Sequence, residues 1–183
     1  MDVVIHHNDP DGLLSAYAVA LHCNFKNLYH YRYAYKPHHE AYIRNKLEHL
    51  DVGTIFVVDC TLSDDFMRAY APKIVHIDHH VSRLEPKPDW FNSVKAQFSE
   101  VGTAACVLTY RALFGTVPPY AELIGQYDIG NFTKESVAMS NYFHNYLRES
   151  DYFKPLNIDV ADALRLGEQI TEVRRVTDMK NAE

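Results

Sequence analysis

Apolar runs of four or five residues alternate with longer stretches in which apolar positions recur every three or four residues. This rhythm predicts strands alternating with helices. Val3 to His7 is the first run, followed by a polar turn and the Ala/Leu-rich helical stretch Leu13 to Leu21. Asn27 to Lys36 alternates strictly, with Tyr29, Tyr31, Tyr33 and Tyr35 on one face and His30, Arg32 and Lys36 on the other, which predicts a strand. Such a tyrosine face can serve as a base-stacking platform, but packing beneath helices is its commoner use and the one expected here. His38 to Leu50 returns to helical spacing through Tyr42, Ile43, Leu47 and Leu50. The β-branched run Thr54 to Val58 suits a fully buried strand closing on Asp59. Ser63 with Asp64 and Asp65 predicts a capped start for a helix through Ala71. Lys73 to Ile77 predicts a strand closing on Asp78-His79-His80, Arg83 to Asn92 a loop, and Val94 to Phe98 a fifth strand. Helices are expected at about 103–114, 119–127 and 136–147, with a last one at about 159–179. The sum is an α/β fold: a five-stranded parallel sheet with helices on both faces, followed by a long C-terminal helix.

Composition narrows the function. A chain of 183 residues, 47% hydrophobic and 23% charged, can bury an ordinary globular core, which excludes a disordered or coiled-coil reading. No stretch approaches the roughly 18 to 20 uncharged apolar residues of a membrane span. Met1 to Ile5, followed at once by His6 and His7, has neither the basic start nor the apolar middle of a signal peptide, so a cytoplasmic location is expected. Cys23, Cys60 and Cys106 form no CxxC pair and are expected as reduced, buried residues rather than a disulfide framework or zinc knuckle. The net charge of −6 has the wrong sign for holding long nucleic acid on a broad basic surface. Histidine is the unusual count: there are 11, several beside Asp in short clusters.

Ligands of an open parallel sheet bind outside the carboxyl ends of its strands. Three expected strands end there in acids or histidines: the first on His7-Asn8-Asp9-Pro10-Asp11-Gly12, the third on Asp59, the fourth on Asp78-His79-His80. Asp128, between Gly125 and Gly130, is a fourth acidic candidate. Taken singly, Asp9 and Asp11 read as turn and N-cap residues, Asp59 as a cap, and the histidine pair as a solvated loop. Jointly, several carboxylates at one sheet edge repel one another unless cations neutralise them. Asp and neutral His without thiolate suit Mn²⁺ or a similar borderline ion better than structural zinc. Two divalent ions would answer that repulsion.

The HNDPDG stretch at 7–12, the lone Asp59, DHH at 78–80 and Asp128 resemble, in order and spacing, the four motifs of the DHH phosphoesterase superfamily, over roughly residues 3 to 130. That family includes RecJ-type single-strand exonucleases, short-oligonucleotide ribonucleases, cyclic-dinucleotide phosphodiesterases and family II inorganic pyrophosphatases. Carried over by motif, His7 and Asp9 would hold one metal, Asp11, His79 and Asp128 the other, and Asp59 would bridge. His80 would face the substrate phosphate as the catalytic histidine. Asp78 reads as a residue that orients a site histidine. The resemblance also favours substrate contact by Gly102 and Thr103 at a helix start, where backbone amides can meet a phosphate. His6 should point away from the site.

The resemblance implies a phosphodiesterase acting on short single-stranded nucleic acid or small nucleotides, with two divalent ions, Mn²⁺ first and Mg²⁺ or Co²⁺ as alternatives. In the pyrophosphatase branch the first histidine stands four residues before the metal Asp. Here position 5 is Ile and His7 is two residues before Asp9, which matches the nuclease branch. An inactive scaffold is the reading from a different class, and an intact set of six ligands argues against it. Residues 1–150 are expected to form the DHH domain and 151–183 a connector-like helix, with no second substrate-binding domain. The apolar positions Ala161, Leu164, Ile170, Val173 and Val176 on that helix suggest a homo-oligomer or other partner contact.

Overall fold

In the computed structural model, residues 1–149 and 158–181 are described. Five strands, β1 (Asp2–His6), β2 (Leu28–Arg32), β3 (Ile55–Val58), β4 (Ile74–Asp78) and β5 (Ala96–Ser99), form one sheet in the order β2-β1-β3-β4-β5. Every pairing is parallel. The helices are α1 (Pro10–His22), α2 (Pro37–Glu48), α3 (Asp64–Tyr70), α4 (Val81–Leu84), α5 (Ala105–Phe114), α6 (Pro119–Asp128), α7 (Lys134–Glu149) and α8 (Val160–Asn181).

The apolar runs become strands because both of their faces are covered. Val3, Ile5, Ile55, Val57 and Ile74 pack with Ile43 and Leu47 of α2 and Phe66 and Met67 of α3. The alternate residues Val4, Phe56, Val58, Val75 and Ile77 pack with Ala16 and Val19 of α1 and Leu108 of α5. With both faces dry, the central strands β3 and β4 are buried throughout, including the polar His76 and Asp78. Val58 and Ile77 therefore deliver the residues that follow them to a buried sheet edge. Strand order reverses at β1, where β2 lies to one side and β3 to the other, so the crevice at the carboxyl ends of β1 and β3 is the topological switch point.

Three departures from the sequence expectation have local causes. β2 stops at Arg32 because its partner β1 ends at His6; Tyr33 N still donates to His6 O at 2.8 Å, and by Tyr35 the backbone has turned to φ 51°. The tyrosine face is consequently divided: Tyr33 is buried and Tyr31 partly so, whereas Tyr29 and Tyr35 are exposed. The segment expected as a loop begins with the single turn of α4 and sends Trp90 into the core, its indole N–H donating to Asp64 Oδ1 at 2.8 Å. α5 starts at Ala105 rather than Thr103, for a reason found in the site.

α6, α7 and α1 share a second core through Leu13, Tyr17, Ile124, Met139 and Phe143. α8 lies along α7 with Ala163 buried and Gly167 at the crossing, where an added Cβ would stand 1.9 Å from Ala138 O. Of the apolar positions singled out on α8, Leu164 and Ile170 are half-buried, Ala161 and Val173 are exposed, and the side chain of Val176 lies outside the described residues. The expected boundary at 150/151 also falls outside them. No helix among the described residues is long and apolar enough to cross a membrane.

The crossing at Gly167 gives a direct test. Gly167→Val should force α8 off α7 and lower stability in urea by about 1–3 kcal/mol, the usual cost of overpacking. An unfolding midpoint unchanged from wild type would contradict the close approach.

Candidate metal centre

The turn after β1 is built by α1. Pro10 opens the helix and Asp9 caps it, with Gly12 N donating to Asp9 Oδ1 at 2.9 Å. The other Asp9 oxygen lies 2.6 Å from His7 Nδ1. Gly12 is required by space, because a Cβ there would come within 2.5 Å of His7 O and 2.9 Å of Asp59 Oδ2. Asp11, the second residue of α1, is buried, and its two oxygens accept the first amides of α5: Ala105 N at 2.9 Å and Cys106 N at 2.7 Å. That contact explains the late start of α5. Just before it, Gly102 occupies an exposed left-handed turn at φ 84° and Thr103 Oγ1 donates to Glu100, while the amides that serve Asp11 are those of Ala105 and Cys106.

Asp59 follows β3 in the left-handed conformation, φ 55°, which costs a non-glycine residue about 1–2 kcal/mol and turns its carboxylate back over the sheet edge. It is 1% exposed, and its Oδ2 is buried without a hydrogen-bond partner. His79, after β4, brings Nε2 to 3.3 Å from Asp128 Oδ2, 3.4 Å from Asp59 Oδ1 and 3.6 Å from Asp11 Oδ2. Asp128 reaches this point from the last residue of α6. A carboxylate at the negative end of a helix is badly placed unless a cation accompanies it.

Asp78 points the other way from the open cluster. Its Oδ1 accepts His80 Nδ1 at 2.6 Å and His79 N at 2.8 Å, and its Oδ2 accepts the Thr61 hydroxyl at 2.8 Å. Thr61 Oγ1 in turn lies 3.0 Å from Nε2 of the buried His76. Thr61 and His76 were not foreseen from sequence; an ordinary Thr two residues past Asp59 and a His inside an apolar strand carry no motif. His6 is fully buried, with Nδ1 donating to His7 O at 2.7 Å and its ring stacked on His30.

The electrostatics follow from burial and crowding. Burial, then the neighbouring Asp11, Asp9 and Asp128, holds the Asp59 carboxyl well above its usual range. Burial with Asp11 and Asp9 nearby pushes Asp128 up to about 7, and burial raises Asp11. For Asp9 burial is outweighed by His7 and the Gly12 amide, leaving it at about 2. Hydrogen bonds to Asp9 and Asp78 raise His7 and His80 respectively. Burial lowers His6 to about 3, so that ring is neutral.

Among the described residues, three groups have ligand atoms within 4.8 Å of one another: His7, Asp9 and Asp59; Asp11, His79 and Asp128; and Asp59, His79 and His80. Two of the three include Asp59. The donors fit divalent cations: an orphaned buried carboxylate oxygen, carboxylates raised by mutual repulsion, and imidazoles. Asp11 remains able to join them, since a carboxylate oxygen with one amide bond keeps a second lone pair. The buried thiols of Cys60 and Cys106 are pushed up by burial and stay protonated, so the set is oxygen and nitrogen without sulfur.

The sequence matches the DHH family, N-terminal domain, over residues 3–138. The chain belongs to the DHH family. Among solved structures, this DHH chain is similar to an uncharacterized protein from Helicobacter pylori, with a TM-score of 0.61 at 18% identity, covering 93% of this chain and 63% of that one. It is also similar to RecJ from Thermus thermophilus, solved in complex with Mn²⁺, with a TM-score of 0.50 at 15% identity, covering 96% of this chain. It spans 35% of the RecJ chain. At these identities the likeness is one of fold. A comparison with curated proteins gives no match.

The crowded carboxylates predict a pH effect with a defined sign. Above pH 6.5 an unfolded chain has ionised Asp and largely neutral His, while the metal-free folded site favours the protonated forms of His7 and His80, whose hydrogen bonds to carboxylates raise them, and of Asp128 up to about 7. A group whose folded pKa is raised loses its stabilising contribution as pH rises through that value. In chelator, Tm should therefore fall between pH 6.5 and 8.5, and Mn²⁺ should raise Tm more at pH 8.5 than at 6.5, releasing fewer protons there. A metal-free Tm that rises across this window would overturn the cluster's role.

Proposed function

We propose that this DHH chain is a two-metal phosphodiesterase that hydrolyses short single-stranded oligonucleotides or small nucleotide phosphodiesters. The observation that carries the reading is Asp59, a strained, buried carboxylate with an orphaned oxygen, shared by groups of potential metal ligands on both its sides. In this reading His7 and Asp9 hold one ion, Asp11, His79 and Asp128 the other, and Asp59 both. Mn²⁺ is the expected ion, with Mg²⁺ and Co²⁺ as substitutes. Bound divalent ions supply acidified water and neutralise charge on a phosphoryl group.

The chain's own residues do the rest. His80 has Nδ1 fixed on Asp78, which leaves Nε2 as the ring atom to meet a phosphoryl or leaving-group oxygen. The hydrogen bond to Asp78 orients that ring and favours its protonated form, a disposition suited to donating a hydrogen bond or a proton as the bond to the leaving oxygen breaks. Thr61 holds the other Asp78 oxygen and His79 N donates to the one that meets His80, so the carboxylate is fixed at both oxygens. Asp9, Gly12 and the α1 N-terminus fix His7 at the switch point.

The division of labour between the adjacent histidines is the test. His79→Ala should lose bound Mn²⁺, and Asp59→Ala should lose both metal and turnover. His80→Ala should retain two ions per chain by calorimetry while hydrolysis of a dinucleotide falls by about 10²-fold or more. Loss of metal in His80→Ala equal to that in His79→Ala would place His80 among the ligands instead.

A further inference from the structure

Beside the metal centre lies a cavity of about 400 Å³ that the proposed chemistry does not use. Tyr33, Tyr35, Pro37, Arg44 and Thr61 line it. Two of these residues also border the centre: the Tyr35 ring lies 5.3 Å from that of His7, and Thr61 donates to the Asp78 carboxylate that holds His80. Cavity and centre are thus neighbouring compartments of one cleft.

The lining has two parts. Tyr33 and Tyr35, with ring centroids 5.2 Å apart, and Pro37 offer flat apolar surface. In the polar part of the lining Arg44 is fixed by two hydrogen bonds to Glu40 and by the Phe66 ring, and Glu40, which also lines the cavity, is tied to both N and Oγ of Ser63. This pairing neutralises Glu40, the acid among the described lining residues, so the wall is polar without repelling an anion. Tyr35 is held at φ 51°, a left-handed conformation that tyrosine adopts only when its surroundings impose it, and that conformation leaves the ring at the mouth of the centre. Residues 26–46 carry five Lys or Arg against one Glu in a chain of net charge −6, so the cationic part of the sequence adjoins this cavity.

We propose that this cavity receives the nucleobase flanking the phosphate held at the metal centre, stacked on Tyr35. The volume falls in the range of small-molecule sites, and a planar ring joined to an anion matches aromatic walls beside a cation-binding cluster. A base is recognised here by its face, so the site tolerates different bases and requires that one be present. The inference rests on the phosphodiesterase reading for the phosphate that accompanies the base.

Binding and turnover separate the two claims. The Mn²⁺-loaded chain is titrated with an intact dinucleotide and with the two dinucleotides that lack one base or the other, and hydrolysis of all three is followed in parallel. Removing one particular base should weaken binding by about tenfold, and Tyr35→Ala should abolish that difference while Tyr35→Phe keeps it. Ala41→Trp, which fills the cavity from α2 without touching His7, should abolish it as well and serves if Tyr35→Ala does not fold. Equal binding of all three ligands by the wild type, or a base preference that survives both Tyr35→Ala and Ala41→Trp, would overturn the cavity assignment. Absence of hydrolysis with the base preference intact would overturn the phosphodiesterase reading alone.

Discussion

The arrangement depends on one buried contact, the Asp11 carboxylate against the first two amides of α5. Helix N-termini carry unsatisfied N–H groups and partial positive charge, so a carboxylate there is among the few polar partners that can be buried with profit. The contact joins residues 94 positions apart and fixes α5 against α1. α6 then packs on α5 through Gly125, whose missing side chain leaves room for Val107 and Ala104. The end of α6 carries Asp128 to within 3.3 Å of His79. A displacement at Asp11 would therefore travel along two helices to the far wall of the metal centre.

The same edge is where the fold works against itself. Asp9, Asp11, Asp59 and Asp128 converge, and only two are well compensated within the chain: Asp9 by His7 and the α1 cap, Asp11 by α5. Asp59 lacks a partner for one oxygen, and Asp128 sits at the wrong end of a helix for an acid. Protons can relieve the repulsion in the metal-free chain, and divalent ions can relieve it more completely. Asp78 shows the contrast. It is equally buried, yet His80, the nearby His76 and the Thr61 hydroxyl outweigh that burial and hold its carboxyl below the usual range, so it is satisfied without a cation and orients the imidazole instead.

What could be read from the sequence was whatever the strands dictate. Thr54 to Val58 and Lys73 to Ile77 are apolar enough to require burial on both faces, which places the next residues, Asp59 and Asp78-His79-His80, at one sheet edge. The Ser63 cap was legible for the same local reason, and Phe66 N does donate to its hydroxyl. Contacts decided by the third dimension were not legible. Nothing near Thr103 indicates that Asp11 sets the first turn of α5, and nothing in the strict alternation of Asn27 to Lys36 shows that β1 runs out of residues opposite Tyr33. The tyrosine face was expected under helices on periodicity alone, but an edge strand outlasting its partner must turn away, and its last ring goes with it.

That turn has a consequence for how the two sides of the cleft differ. The β3 and β4 side presents acids and imidazoles on a buried edge; the β2 and α2 side presents the rings of Tyr33 and Tyr35 just past an edge strand, with Arg44 on α2. A ligand with a phosphate at one end and a flat ring at the other meets complementary chemistry on both sides only if it enters with the ring toward α2. The orientation of such a ligand would thus follow from the sheet order itself, because the reversal at β1 places the acid-bearing strands to one side of His7 and the tyrosines to the other.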